Sequence, residues 1–340
     1  MPGPNNVKRI LVVGAGSWGI TIALLLRDNG HEVMLYEALP ALYQRLARDR
    51  EEKDKLPGYR IPDSILITND LAAALKGTNI VVFAVPSQYL RSVIRGLKGH
   101  DFSGSIVVNV AKGIESPALK RMSEVLSEEN KSIGPANYVI LSGPSHAEEV
   151  VRKMPTAIVA ASSNPHAAEV IQEIFSTPYL RVYTNDDVAG VELAGSLKNI
   201  IAIAAGILDG LGFGDNIKGA LLTRGMVEIT RLGIALGAKK ETFFGLTGIG
   251  DLITTCISRH SRNRHVGEKL GKGEGIKKIL GDMKMVAEGV ETTRSAYQLA
   301  KKAGTEMPIT EKMYKVLFEG ESPSKAVKEL MEREPKPEVI

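Results

Sequence analysis

Six residues, Gly14-Ala15-Gly16-Ser17-Trp18-Gly19, constrain this 340-residue chain more than any others. They follow an apolar run, Ile10-Leu11-Val12-Val13, and precede a helical run from Ile20 to Leu26. Three glycines placed between a strand and a helix make a turn that cradles phosphates of a dinucleotide. Gly14 permits the tight turn, Gly16 lets a pyrophosphate reach bare backbone, and Gly19 lets the helix pack on the strand. The phosphates then meet the free N–H groups and the positive end of that helix. Glu37 stands 23 positions after Gly14 (37 − 14 = 23), at the end of the next strand. An acid there accepts hydrogen bonds from ribose hydroxyls and repels a 2′-phosphate, which favours NAD over NADP.

The rhythm around this turn is βαβ. Strands are expected at Arg9–Val13, Glu32–Tyr36, Ile65–Thr68, Ile80–Val85, Ile106–Val110 and Tyr138–Leu141, then Ala157–Ala161 and Leu180–Tyr183. Helices are expected between them, at Ala41–Arg50 and Leu119–Glu128 among others. This alternation predicts a Rossmann-type α/β domain with a parallel-rich sheet. The character changes near Asp187. Val188–Asp209 reads as a long buried helix and Lys218–Leu236 as a second, with Arg294–Ala303 and Pro308–Phe318 beyond them. The expected organisation is a dinucleotide-binding domain over 1–187 and an all-α substrate domain over 188–340, with the cleft between them as the substrate site.

Bulk properties remove several classes. A net charge of +4 with mixed signs is too small for a nucleic-acid binder. One cysteine, Cys256, excludes an internal disulfide framework. Met1–Asn6 is polar and unlike a secretory signal, and the longest uncharged apolar stretch, Asn199–Leu208, is too short for a bilayer. No stable membrane insertion is expected, and no His, Cys and carboxylate set has metal spacing, so no metal is expected either.

Lys198 is the leading candidate for catalysis. It sits in a helix of small apolar residues, Ala194-Gly195-Ser196-Leu197-Lys198-Asn199-Ile200-Ile201-Ala202. Burial lowers an ammonium's pKa and lets it trade protons near neutrality. Glu192 and Asp251 are its candidate countercharges. Lys112-Gly113 follows the fifth strand and Gly143-Pro144-Ser145 the sixth, where ligands of such sheets bind. Lys112 suits an anion, and Ser145 a hydroxyl or carbonyl; the adjacent His146 reads as structural. Ser261-Arg262-Asn263 offers a hydroxyl, a guanidinium fork and an amide, good chemistry for a phosphate at a helix N-terminus.

Taken together these residues resemble the bacterial NAD(P)-dependent glycerol-3-phosphate dehydrogenases. The likeness runs nearly end to end: Gly14 to Gly19, Val110 to Gly113, Leu141 to Ser145, Lys198-Asn199, Gly248 to Cys256, Ser261 to Arg264, Val286 to Gly289 and Glu306 to Ile309. It implies reversible reduction of dihydroxyacetone phosphate to sn-glycerol 3-phosphate, with Lys198 as proton donor and acceptor. It implies that Lys112, Gly143, Ser145, Asp251, Ser261, Arg262 and Asn263 contact the substrate, with Thr255 as an added orienting hydroxyl. Ser17, Trp18, Lys112, Ala147, Arg262, Val286 and Glu288 would contact the cofactor. A cytoplasmic homodimer supplying phospholipid synthesis is the family expectation. Many relatives carry Arg or His just beyond the second strand, whereas this chain has Tyr36-Glu37-Ala38-Leu39-Pro40. NADH is therefore expected in preference to NADPH. The competing readings are another two-domain hydroxyacid or ketopantoate-type reductase, and a non-catalytic NAD-binding sensor. Lys112, Lys198 and Asp251 argue against the sensor, which needs no proton donor.

Overall fold

Four consecutive side chains of strand β1 (Arg9–Val13), from Ile10 to Val13, are fully buried. Alternate strand residues face opposite sides, so this sheet is covered on both faces. The computed structural model describes residues 7–335, 337 and 338. The polar stretch Met1–Asn6 lies outside them. In chain order β1 is followed by α1 (Ser17–Asp28), β2 (Glu32–Tyr36), α2 (Pro40–Asp49), β3 (Leu66–Thr68), α3 (Leu71–Leu75) and β4 (Ile80–Phe83). Then come α4 (Ser87–Arg95), β5 (Ile106–Asn109), α5 (Met122–Glu129), β6 (Tyr138–Ser142), α6 (Ala147–Val150), β7 (Thr156–Ala161), α7 (Pro165–Phe175) and β8 (Leu180–Asn185).

The strands form one sheet in the order β3-β2-β1-β4-β5-β6-β7-β8. Every pairing is parallel except that of β6 with β7. The chain builds outward from β1 to β2 and β3, then places β4 on the other side of β1. Ligands of open sheets bind at the carboxyl ends where the order reverses, and Gly14 is the first residue beyond β1. All the expected strands are present, with ends moved by a residue or two. The helix expected from Leu119 begins instead at Met122, because Leu119 takes φ +59°, outside the helical region.

The chain divides into two compact units. One runs up to Ala111 and from Met122 to Val188; the other comprises Lys112–Arg121 and the chain from Ala189 onward. Nothing in the sequence marks Lys112–Arg121 as part of the helical unit, and the expected division at 187/188 does not include it. The physical reason is burial: Ile114 belongs to the helical core, and Ser295 Oγ donates to the Ile114 carbonyl at 3.2 Å.

The helical unit continues through α8 (Val188–Gly210), α9 (Asp215–Ala235), a 3-10 turn (Lys240–Phe244), a π-helical turn (Leu246–Gly250) and α10 (Asp251–Ile257). It ends with α11 (Arg262–Gly271), α12 (Ile276–Asp282), α13 (Glu288–Ala303), α14 (Pro308–Phe318) and α15 (Pro323–Met331). Every residue of α8 from Gly190 to Leu208 is buried. By length and composition α8 could cross a membrane, and it exceeds the Asn199–Leu208 stretch singled out from sequence. Here it is the central helix of a packed core.

Helices α8 and α11 touch backbone to backbone. A Cβ on Gly206 would lie 1.9 Å from the Arg264 carbonyl oxygen, and one on Gly267 1.9 Å from that of Ile203. Gly210 and Gly271 repeat the contact one turn on, at 2.2 Å from Glu268 O and 2.5 Å from Ile207 O. Only glycine permits this approach. Gly267→Val should force the helices apart at a cost of about 1–3 kcal/mol or more, as overpacking does. Thermal unfolding should then begin several degrees lower; a midpoint within about 1 °C of the parent would contradict the packing account.

Candidate active site

Within the sheet unit the glycine turn has the geometry its sequence demands. Gly14 takes φ +112°, and a Cβ there would lie 2.7 Å from the Ala84 carbonyl oxygen just beyond β4. A Cβ on Gly19 would lie 1.9 Å from the Gly14 carbonyl, so α1 rests directly on the turn. Gly16 faces open space and caps α1 with no side chain satisfying the first N–H groups. Bare backbone at Gly16 and the positive end of α1 fit the pyrophosphate of a dinucleotide. Ser17 is buried, and Trp18 packs half-buried against the core of the unit.

Glu37 follows β2 directly instead of ending it, and it is buried. Its Oε1 accepts the Leu39 N–H at 2.9 Å, which fixes the carboxylate at the strand's end. Gly143 takes φ +143° and meets Ile158 so closely that a Cβ would lie 2.9 Å from its Cα. Ser145, half-buried, donates to the Gly143 carbonyl at 3.2 Å, and Ala147 opens the short α6.

Within the helical unit four side chains converge. Lys198 projects from the buried middle of α8, Asp251 and Thr255 from one face of α10, and Lys112 from the segment after β5. Residues four apart share a helix face, which aligns Asp251 with Thr255. Lys198 Nζ donates to Asp251 Oδ1 at 2.7 Å and to Thr255 Oγ1. Lys112 Nζ donates to the other oxygen, Oδ2, at 2.8 Å. One buried carboxylate therefore serves two ammonium groups, and the cluster carries a surplus positive charge.

That surplus tunes the lysine. Burial is the largest influence on Lys198 and, with the charge of Lys112, outweighs Asp251 to bring its pKa down to about 8. Burial alone would raise the Asp251 carboxyl, yet Lys112 and Lys198 hold it below the usual carboxylate range. Cys256, adjacent to Thr255, is pushed up to about 12 by burial, which keeps it a neutral thiol. The other candidate countercharge, Glu192, is corrected by the structure: it pairs with Arg121 at 3.0 Å. Six residues back on α8, Glu192 points about 120° away from Lys198 and so leaves the face that Lys198 shares with α10.

Asn199 is a participant that sequence reasoning missed. Its Nδ2 donates to the Lys112 carbonyl at 3.3 Å, and its Oδ1 accepts Asn263 Nδ2 at 2.9 Å. Asn263 Oδ1 in turn accepts the Gly289 N–H at 2.9 Å. The chain of amides ties Lys112, α8, α11 and the start of α13 together. Its only sequence signal is the position directly after Lys198. Ser261 caps α11, accepting the Arg264 N–H at 3.2 Å. Arg262 is exposed and donates to the Val286 carbonyl at 3.1 Å, while Glu288 stands in the first turn of α13. Of the expected phosphate trio, only Arg262 presents its charge outward.

A mostly parallel sheet of this order with that glycine turn is a dinucleotide fold, and a buried lysine with a lowered pKa suits carbonyl reduction. The class is that of the two-domain nicotinamide-nucleotide dehydrogenases. Models of the NAD-dependent glycerol-3-phosphate dehydrogenase family match residues 9–168 with its N-terminus and 187–328 with its C-terminus, and the chain belongs to that family. Glycerol-3-phosphate dehydrogenase [NAD(P)+] of Chlorobium phaeobacteroides (strain BS1) is 50% identical over 331 residues, covering 97% of this chain and 99% of that one. That of Carboxydothermus hydrogenoformans is 51% identical over 331 residues, covering 97% and 98%. The crystal structure of glycerol-3-phosphate dehydrogenase from Coxiella burnetii matches with TM-score 0.92 at 37% identity, covering 96% of this chain and 99% of that one. A ketopantoate reductase from Ralstonia eutropha matches with TM-score 0.59 at 16% identity, a likeness of fold alone.

Replacing Asp251 tests the cluster directly. In Asp251→Asn the Lys198 ammonium loses its countercharge while Lys112 stays near, so its titration should move acidward of about 8. A displacement of roughly one pH unit or more is expected, followed by nitrogen NMR of the lysine side chains. An unchanged Lys198 titration would refute the pairing as its governor.

Proposed function

We propose that this protein reduces dihydroxyacetone phosphate reversibly to sn-glycerol 3-phosphate with a nicotinamide dinucleotide, Lys198 serving as proton donor and acceptor. The observation that carries the reading is the buried Lys198, which shares the Asp251 carboxylate with Lys112 and whose pKa burial brings down to about 8. When bound, the nicotinamide supplies the hydride that goes to the central carbonyl carbon. Lys198 Nζ delivers the proton to the carbonyl oxygen and stabilises the charge developing there. In the oxidative direction the neutral amine removes the same proton from the hydroxyl. Asp251 and Thr255 hold Nζ in one orientation, and Lys112 adds a second positive charge for an anionic substrate.

Arg262 serves the phosphate, where a guanidinium fork matches the oxygens. Ser261 and Asn263, whose side chains cap α11 and join the amide relay, support that position and complete the substrate set with Gly143 and Ser145. Phosphate contacts remote from the reacting carbon fix the carbonyl against the donor. Gly14, Gly16, Ser17, Trp18 and Gly19 hold the dinucleotide pyrophosphate region, joined by Ala147, Val286 and Glu288. Glu37, held by the Leu39 N–H, accepts the adenosine ribose hydroxyls and disfavours a 2′-phosphate. The product feeds phospholipid synthesis, and the working form is a cytoplasmic homodimer.

NADH oxidation by the purified protein with dihydroxyacetone phosphate is the primary test, run beside Lys198→Met. The parent should turn over with kcat/KM for NADH above that for NADPH. Lys198→Met should keep NADH binding and lose about 100-fold or more of kcat, the usual contribution of a positioned proton donor. Undiminished turnover would remove Lys198 from the mechanism; equal or better NADPH use would remove Glu37 from selection.

A further inference from the structure

The helical unit contains a cavity of about 680 Å³ whose lining includes no residue of the Lys198–Asp251 cluster. Its walls come from four helices and from the chain before α14 and after α15, and are mostly apolar, with Ile207 from α8, Leu221 from α9, Met313 from α14 and Leu330 from α15. That size and lining are those of a small-molecule site. Charged residues also line it, and their partners are informative. Glu228, buried on α9, accepts the Ile309 and Thr310 N–H groups at 2.8 and 2.7 Å, so its two oxygens cap α14. Arg231 donates to the Glu306 carbonyl oxygen at 2.9 Å, and Arg333 pairs with the Glu306 carboxylate.

Two charged lining residues remain. Glu334 is exposed beyond α15. Arg224 is half-buried on α9, one turn before Glu228, and has no hydrogen-bond or ion-pair partner among the described residues. Glu228 does not compensate it, being turned to the backbone of α14. A partly desolvated guanidinium beside an apolar wall is unfavourable until an anion reaches it. The chemistry that satisfies both parts of this cavity is an apolar chain ending in a negative head.

We propose that the cavity binds a straight-chain fatty carboxylate, with the alkyl chain against Ile207, Leu221, Met313 and Leu330 and the carboxylate on Arg224. The site is distinct from the reacting centre, so it is independent of the substrate assigned to Lys198.

Equilibrium dialysis of the full chain with radiolabelled laurate, below its micellar concentration and with saturating NADH and glycerol 3-phosphate present, tests this. One saturable laurate per chain is expected, with dodecan-1-ol bound far more weakly. Arg224→Ala should weaken laurate about tenfold or more, the effect of losing a charge-assisted contact, and Arg224→Lys should recover part of it. Leu221→Trp, checked for an unchanged circular dichroism spectrum, should abolish binding by filling the cavity. Non-saturable uptake, equal binding of the alcohol, or laurate affinity unchanged in Arg224→Ala would overturn the proposal. So would dissociation of an oligomer by Arg224→Ala without loss of laurate, which would make the cavity a seat for a second copy.

Discussion

The candidate site is organised around one buried carboxylate shared by two ammonium groups. Asp251 is buried, and each of its oxygens takes one lysine, Lys198 on Oδ1 and Lys112 on Oδ2. Were Lys198 alone with Asp251, the pair would favour a permanently charged lysine. The second ammonium and the loss of water work against that, and the balance settles at about 8. A group that gains and loses a proton so near neutrality can serve both directions of a carbonyl–alcohol interconversion. The same surplus charge suits an anionic substrate.

The rest of the helical unit keeps those four side chains in register. α8 carries Lys198 and is clamped against α11 by glycines on both helices, leaving no room for either to slide. The π-helical turn Leu246–Gly250 delivers Asp251 to the start of α10. It is itself pinned, since a Cβ on Gly248 would lie 1.9 Å from the Phe243 carbonyl oxygen. The amides of Asn199 and Asn263 then join the Lys112 backbone to the start of α13. Rigid elements bear the chemistry, as precise positioning requires.

Much of this was legible in the sequence, for reasons that differ from part to part. β-branched runs and the Gly14–Gly19 spacing are local signals, and they locate the strands and the phosphate turn to within a residue or two. The lysine in an apolar helix announces itself by its cost of burial. Its partner does not. Glu192 and Asp251 are both candidates, and only the fold decides: Glu192 pairs with Arg121 and Asp251 with Lys198. Lys112 lies 139 positions from Asp251, a contact no local pattern reveals. Its segment's membership of the helical unit follows from Ile114 entering that core, again a non-local fact. Sequence presents Ser261 and Asn263 as phosphate ligands, but it does not show that Ser261 also caps α11 or that Asn263 also bonds Asn199 and Gly289.

The pH dependence of kcat, measured in both directions at saturation, tests the central claim most directly. If Lys198 is the proton donor and acceptor at about 8, dihydroxyacetone phosphate reduction needs the ammonium and should fall as pH rises through that value. Glycerol 3-phosphate oxidation needs the neutral amine and should rise through the same range. Mirrored limbs with a common inflection support the account. A reduction rate that stays flat from about pH 6 to pH 10, or an inflection that survives in Lys198→Met, would contradict it.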